Sequence, residues 1–306
     1  MRARRWFASV TVAAAALAAC GAQAKRPVRE FDGAIAFGYL ERQVGFGPRI
    51  PATPAHEQTG DWILSQLQDR ADTVIVQAIP HRTTGGQTLK LRNFLARYRP
   101  EAAERILFLA HWDTRPRADQ SANLAAQRMP VPGANDGASG VAVLLGVADA
   151  LKAKPPTVGV DLLFVDGEDY GDFADSTQVL IGSRWFAAHQ PAGYSPLYAV
   201  LFDMVGDKDL RIGYEGNSQA FAPEVVDLVW RKAAELGYGN VFIPHVESTL
   251  VDDHVSLQRA GIHAIDIVDF GYPYWHTTED TLDKVSANSL QIVGDVAVAL
   301  VRGVGQ

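Results

Sequence analysis

Two early stretches repeat apolar residues at helical spacing. Ala34, Ile35, Phe37, Leu40 and Val44 predict a helix over 31–44, and Trp62, Ile63, Leu64 and Leu67 a second over 56–67. Gly45, Gly47, Pro48, Pro51 and Pro54 mark the loop between them. The period then changes. Residues 73–79 and 89–98 alternate or run apolar about Thr83-Thr-Gly-Gly-Gln87, which predicts a hairpin. Short apolar runs at 106–110, from Val160, at 197–205 and at 262–268 have the composition of buried strands, with a further short strand at 211–214. Helical patterns fall between and after them. One opens in Gly133-Ala-Asn-Asp-Gly-Ala-Ser-Gly140 with Val141, Val143, Leu144, Val147 and Leu151 on its apolar face. Others cover 182–189, 221–236 with Gly237 as its stop, a short amphipathic helix beginning at Asp252-Asp-His254, and 286–301. Strands alternating with helices predict an α/β fold: a single domain with a central mixed, mostly parallel twisted sheet flanked by helices. There is no internal repeat and no linker that divides the chain.

Composition narrows the class. A chain of 306 residues that is 47% hydrophobic can bury a large core, and 21% charged residues describe an ordinary globular protein. The first residues form an export signal, with Arg2, Arg4 and Arg5 followed by an uncharged, mostly apolar stretch from Trp6 to Ala19. That stretch is shorter than the roughly 20 residues a membrane span needs. Leu17-Ala-Ala-Cys-Gly21 resembles the lipobox of bacterial lipoproteins, which makes Cys20, the sole cysteine, the expected lipidation site. Simple cleavage near Ala22-Gln-Ala24 is the alternative. The expected layout is a signal peptide at 1–20, a tether at 21–30 and one folded domain at 31–306. The expected place is the periplasmic side, anchored by lipid; glycine rather than aspartate after Cys20 points to the outer membrane. Removing three of the 28 basic residues with the signal leaves 25 against 35 acidic ones, a net charge of −10, which argues against a nucleic-acid partner. A lone cysteine also excludes an internal disulfide.

Candidate chemistry recurs at one topological position, the ends of apolar strands and the loops after them: His111 and Asp113, Asp136, Glu168 and Asp169, Asp203, Asp252 and His276. In an open α/β sheet these ends line the ligand crevice. Carboxylates and imidazoles suit zinc, and adjacent Glu168 and Asp169 offer one group to hold a metal and one to move a proton. Each residue alone has a structural reading too. His111 could be a satisfied core histidine, Asp136 a helix N-cap, and Asp203 a buried hydrogen-bonded carboxylate.

Taken in order, His111-Trp-Asp113, Gly133-Ala-Asn-Asp-Gly-Ala-Ser-Gly140, Asp166-Gly-Glu-Asp169, Leu201-Phe-Asp203, Asp252-Asp-His254 and Trp275-His-Thr277 resemble the motif set of the zinc aminopeptidase and glutaminyl cyclase superfamily. His111-Trp-Asp-Thr-Arg-Pro116 and Tyr274-Trp-His-Thr277 look most like its bacterial glutaminyl-peptide cyclotransferases. The resemblance implies a zinc-exopeptidase-like fold and one Zn2+ held by Asp136, Asp169 and His276. It implies Glu168 as general acid/base, Asp203 and Asp252 as hydrogen-bonding carboxylates, and Trp275 as a wall of the substrate pocket. The implied reaction closes N-terminal glutamine of peptides or proteins to pyroglutamate with release of ammonia. The alternative is a co-catalytic aminopeptidase with two zinc ions, in which His111 and Asp203 join the ligands and Asp136 bridges. The animal cyclases pair two glutamates where this chain has Glu168-Asp169, and place an aromatic residue shortly after them; Tyr170 and Phe173 are the nearest candidates.

Overall fold

A computed structural model describes residues 29–304. The expected export signal, Cys20 and most of the expected tether lie outside the described residues.

Strands β1 (Thr73–Arg82) and β2 (Thr88–Tyr98) form the expected hairpin, and β2 runs antiparallel to β4 (Gly159–Val165). Beyond β4 the sheet is parallel, through β3 (Arg105–His111), β5 (Ala199–Asp203) and β8 (Ala264–Val268). The order is β1-β2-β4-β3-β5-β8. The parallel strands read as unbroken apolar runs because both faces are covered. Ile106, Phe108 and Ala110 of β3 enter the larger core with Val160, Leu162, Phe164, Val200 and Phe202. Their alternates Leu107 and Leu109 enter a second core with Leu163, Val165 and Leu201.

Helices α1 (Gly33–Gly45), α3 (Ala138–Ala153) and α8 (Ala287–Gly303) pack together over the first core. Helices α4 (Ile181–Ala188) and α7 (Asp253–Arg259) pack on one another over the second, where Phe186 and Leu257 meet the sheet. Helix α2 (Pro54–Gln68) starts with Thr53 as N-cap and Pro54 in its first turn. The segment after β3 returns to β4 on one side, whereas the segment after β4 crosses to β5 on the other side of β3. That reversal opens a crevice at the carboxyl ends of β3, β4 and β5. Helix α3 reaches the crevice because Gly140 lets it touch the sheet: a Cβ there would sit 2.0 Å from the Phe202 carbonyl oxygen.

Three local expectations change. The helix expected over 221–236 is α6 (Pro223–Glu235), and a short helix not expected, α5 (Gly216–Phe221), precedes it. Pro223 has no N–H to continue a helix from before it, but fits the first turn of a new one. A strand not expected, β7 (Phe242–Ser248), pairs parallel with β6 (Ile212–Glu215) in a two-stranded sheet. It contains Pro244 and is exposed over most of its length, so it lacks an apolar pattern. Helix α7 is not amphipathic; every residue from Asp253 to Gln258 is buried.

Candidate active site and metal centre

Each strand-end residue singled out in the sequence lies in or beside one cleft of about 380 Å³, whose lining includes Asp136, Glu168, Asp203, Asp252, Trp275 and His276. His111 is the last residue of β3 and Asp203 the last of β5. Glu168 and Asp169 follow β4 in a tight loop, and His276 comes from the loop after β8. Asp136 does not cap α3; the cap is Gly137, without a side-chain bond, and the Asp136 carboxylate turns into the cleft. A Cβ at Gly137 would lie 2.4 Å from His111 Nε2, so glycine there is what lets the ring approach.

Two overlapping groups could hold a cation, and they share Asp136. One is Asp136, Asp169 and His276; the other is His111, Asp136 and Asp203; within each group the donor atoms lie within 4.8 Å of one another. His276 Nε2 sits 3.3 Å from Asp169 Oδ1 and 3.5 Å from Asp136 Oδ2. His111 Nε2 sits 3.1 Å from Asp136 Oδ1 and 3.2 Å from Asp203 Oδ1. Asp169 Oδ2 is buried without a hydrogen-bond partner, as is His111 Nδ1. A buried carboxylate oxygen left open beside a second carboxylate and an imidazole is what a cation-binding donor set requires, and its N/O composition suits zinc.

Neighbouring residues, of which the sequence pattern marks only Asp113, hold this set in place. Buried Asp113 accepts the backbone N–H groups of Glu168 (3.0 Å) and Asp169 (3.2 Å), fixing the turn that carries both acids. Asp280 does the same for the Asp136 segment, accepting from Asn135 N (2.8 Å), Asp136 N (3.2 Å) and the Tyr272 hydroxyl (2.8 Å). The buried Arg49 guanidinium donates to the carbonyls of Trp112, Pro132 and Gly133. Its charge faces Asp280, Asp136 and Asp113, while burial draws it down to about 10. Arg115 donates to Asp169 Oδ1 (2.7 Å). The sequence carries no marker for Arg49 or Asp280, which meet the site across 84 and 145 residues.

The buried acids outnumber the buried cations. Burial and then the neighbouring Asp169 charge hold the Glu168 carboxyl well above the usual range. Burial pushes Asp203 up to about 7 against its bond with His111, and also raises Asp252. Burial alone would lower His276, but Asp169, Asp119 and Asp136 push it up to about 10. Burial likewise opposes protonation of His111, yet Asp113, Asp136 and Asp203 hold it above the usual histidine range. Protein groups alone therefore leave the centre short of positive charge, which a divalent cation would supply.

On the apolar side, Trp275 stacks on the His276 ring at 4.0 Å and meets Phe270 edge-on at 5.0 Å. Of the two aromatic candidates after Asp169, Phe173 lines this cleft under the Arg115 guanidinium. Tyr170 instead joins the small core of Ile79, Leu89, Leu91 and Ile181.

A mixed, mostly parallel sheet with overlapping carboxylate–histidine groups at its strand ends defines a zinc-exopeptidase-like fold with a candidate metal centre. The comparisons with known proteins agree: residues 93–301 match peptidase family M28, and the chain belongs to that family. Among solved structures it is similar to the glutaminyl cyclase of Porphyromonas gingivalis, with 39% identity and a TM-score of 0.85 over 89% of this chain and 98% of that one. It is equally similar to a leucine aminopeptidase precursor from Bacteroides thetaiotaomicron, with 37% identity and a TM-score of 0.86 over 89% of this chain and 97% of the other. Among curated proteins, aminopeptidase YwaD of Bacillus subtilis is 29% identical over 185 residues, 56% of this chain but only 37% of that protein's length.

Proposed function

We propose that this enzyme closes the N-terminal glutamine of peptides and proteins to pyroglutamate, releasing ammonia. The observation that carries the reading is Asp252. The N-cap of α7 brings it into the cleft with Glu168 and Asp203, buried at 8% exposure. A two-metal aminopeptidase would use His111, Asp136, Asp169, Asp203 and His276 as ligands and Glu168 as base, and would leave Asp252 only its structural role as the N-cap of α7. Cyclisation has a chemical one for it, because an amine must lose a proton and an amide nitrogen must gain one in the same small pocket. Glutaminyl cyclases among the similar structures support the same choice.

Asp136, Asp169 and His276 would hold a single zinc, which when bound acts as a Lewis acid towards the substrate's γ-carbonyl. Trp275 and Phe270 offer an apolar wall against which the glutamine side chain folds back on its own amine, so no second substrate has to be brought in. The α-amine nitrogen forms a bond to the side-chain amide carbon (Cδ), and the bond from that carbon to the amide nitrogen breaks. Glu168 takes the proton from the amine and returns it to the departing nitrogen, which leaves as ammonia. Its raised proton affinity suits a group that both accepts and returns a proton near neutral pH. Asp252 sits close enough to influence both Glu168 and Asp203, and the two aspartates would steady the amine and the leaving nitrogen through hydrogen bonds. The same proposal places the enzyme on the periplasmic side of a bacterial membrane, tethered by lipid on Cys20; the N-terminal signal pattern supports it.

The test uses the purified soluble domain with one peptide bearing N-terminal Gln and one bearing N-terminal Leu. Ammonia loss from the first, with the second untouched, is expected; release of free leucine would overturn the reading. Glu168→Gln should abolish turnover with metal still bound, and retained turnover would remove Glu168 as the base.

A further inference from the structure

One loop approaches the His276 segment at three successive residues. Asp119 Oδ1 lies 3.5 Å from His276 Nδ1. Gln120 N donates to the His276 carbonyl at 3.1 Å. Ser121 Oγ accepts from Thr278 N at 3.3 Å. His276 itself has a left-handed backbone, with φ of 54°, a conformation that costs a non-glycine residue about 1–3 kcal/mol and persists only when surrounding contacts enforce it.

Arg115 ties this loop to the opposite side of the centre. Its Nε lies 3.1 Å from both Asp119 oxygens and its Nη2 2.6 Å from Oδ2, while Nη1 donates to Asp169 Oδ1 at 2.7 Å. One guanidinium thus binds Asp119, which faces His276, and Asp169 directly. As a surface ion pair the Arg115–Asp119 contact would matter little, because the Asp119 side chain is 39% exposed. Its position gives it a different use. The two imidazole nitrogens are distinct, and a carboxylate facing Nδ1 holds the proton there and leaves the Nε2 lone pair for a metal. Here Nε2 is the atom that faces Asp136 and Asp169.

We infer that Asp119 and Arg115 are positioning residues of the metal centre: Asp119 fixes the ring and tautomer of His276, and Arg115 locks Asp119 and Asp169 into one frame. This rests on reading Asp136, Asp169 and His276 as the metal group, but not on which reaction follows.

The test is zinc affinity, measured on the purified domain by competition with a chromophoric chelator. Asp119→Ala should weaken zinc binding roughly 10–100-fold. Asp119→Asn, which keeps an acceptor but loses the charge, should fall between it and the parent. Arg115→Lys should also weaken binding, because an ammonium cannot hold both carboxylates as the planar fork does. The cobalt-substituted absorption spectrum should change in Asp119→Ala, reporting altered ligand geometry without reference to turnover. A folded Asp119→Ala with affinity within about twofold of the parent would overturn the inference; if that variant does not fold, Asp119→Asn decides on the same criterion. A parent chain that binds no zinc would instead overturn the ligand reading itself.

Discussion

Asp113 has no direct part in the proposed chemistry, yet the geometry makes its replacement costly. Its carboxylate is fully buried, and its two oxygens separately accept the N–H groups of Glu168 and Asp169. Its Oδ1 is also 3.6 Å from His111 Nδ1. Asp113→Asn keeps the shape but turns one oxygen into a donor facing an N–H. A hydrogen bond to a charged group contributes about 1.5–3 kcal/mol, and a buried donor left unsatisfied costs about 1–3 kcal/mol more. The expected loss of stability is therefore on the order of 2.5–6 kcal/mol, below the middle of the roughly 5–15 kcal/mol range of typical domains, so the variant should still fold. The turn carrying Glu168 would shift, and a displacement of about 1 Å at a reacting group can cost about 100-fold in rate. Urea unfolding followed by tryptophan fluorescence gives the first quantity, and kcat/KM on an N-terminal Gln peptide the second. A variant within about 0.5 kcal/mol of the parent, with full activity, would refute the argument that Asp113 builds the acid pair's turn.

Other outcomes follow from the same structure. Gly140→Ala gains about 1 kcal/mol of helix propensity, but its Cβ would meet the Phe202 carbonyl at 2.0 Å; overpacking of about 1–3 kcal/mol or more should win, and a higher melting temperature would contradict the close approach of α3 to β5. Asp269 is pushed up to about 7 by burial and by Asp207 and Glu247, against bonds from Arg211 N and Gly271 N. With its folded pKa above the ordinary 3.8, its contribution to stability is complete below that pH and is lost as pH rises through 7. Asp269→Asn should therefore flatten the fall in urea midpoint between about pH 4 and 7, and an unchanged fall would remove Asp269 as its source. Stripping metal with a chelator should abolish turnover and lower the melting temperature, both restored by zinc; full activity in verified metal-free protein would exclude a metal role.

Much of this was legible in the chain, for identifiable reasons. Strands β3, β4 and β5 are buried on both faces, so they stand out as apolar runs, and the acids that break those runs mark the crevice. Asp136, Glu168, Asp169, Asp203 and His276 could thus be found from position and residue type. Their division into roles could not, because zinc donors and proton carriers use the same side chains. Arg115 and Asp119 lie in an irregular loop without periodicity, and their relation to Asp169 and His276 exists only after folding. Strand β7 and the short helix α5 were hidden for the opposite reason: where packing is weak or an element runs barely two turns, no apolar pattern builds up.

Cyclisation and hydrolysis of one substrate leave different products, which makes the central claim directly measurable. A peptide with N-terminal glutamine, incubated with the zinc-loaded domain and read by mass spectrometry, should keep its full chain and lose one ammonia. Free glutamine together with a peptide shortened by one residue would contradict the account and establish the aminopeptidase.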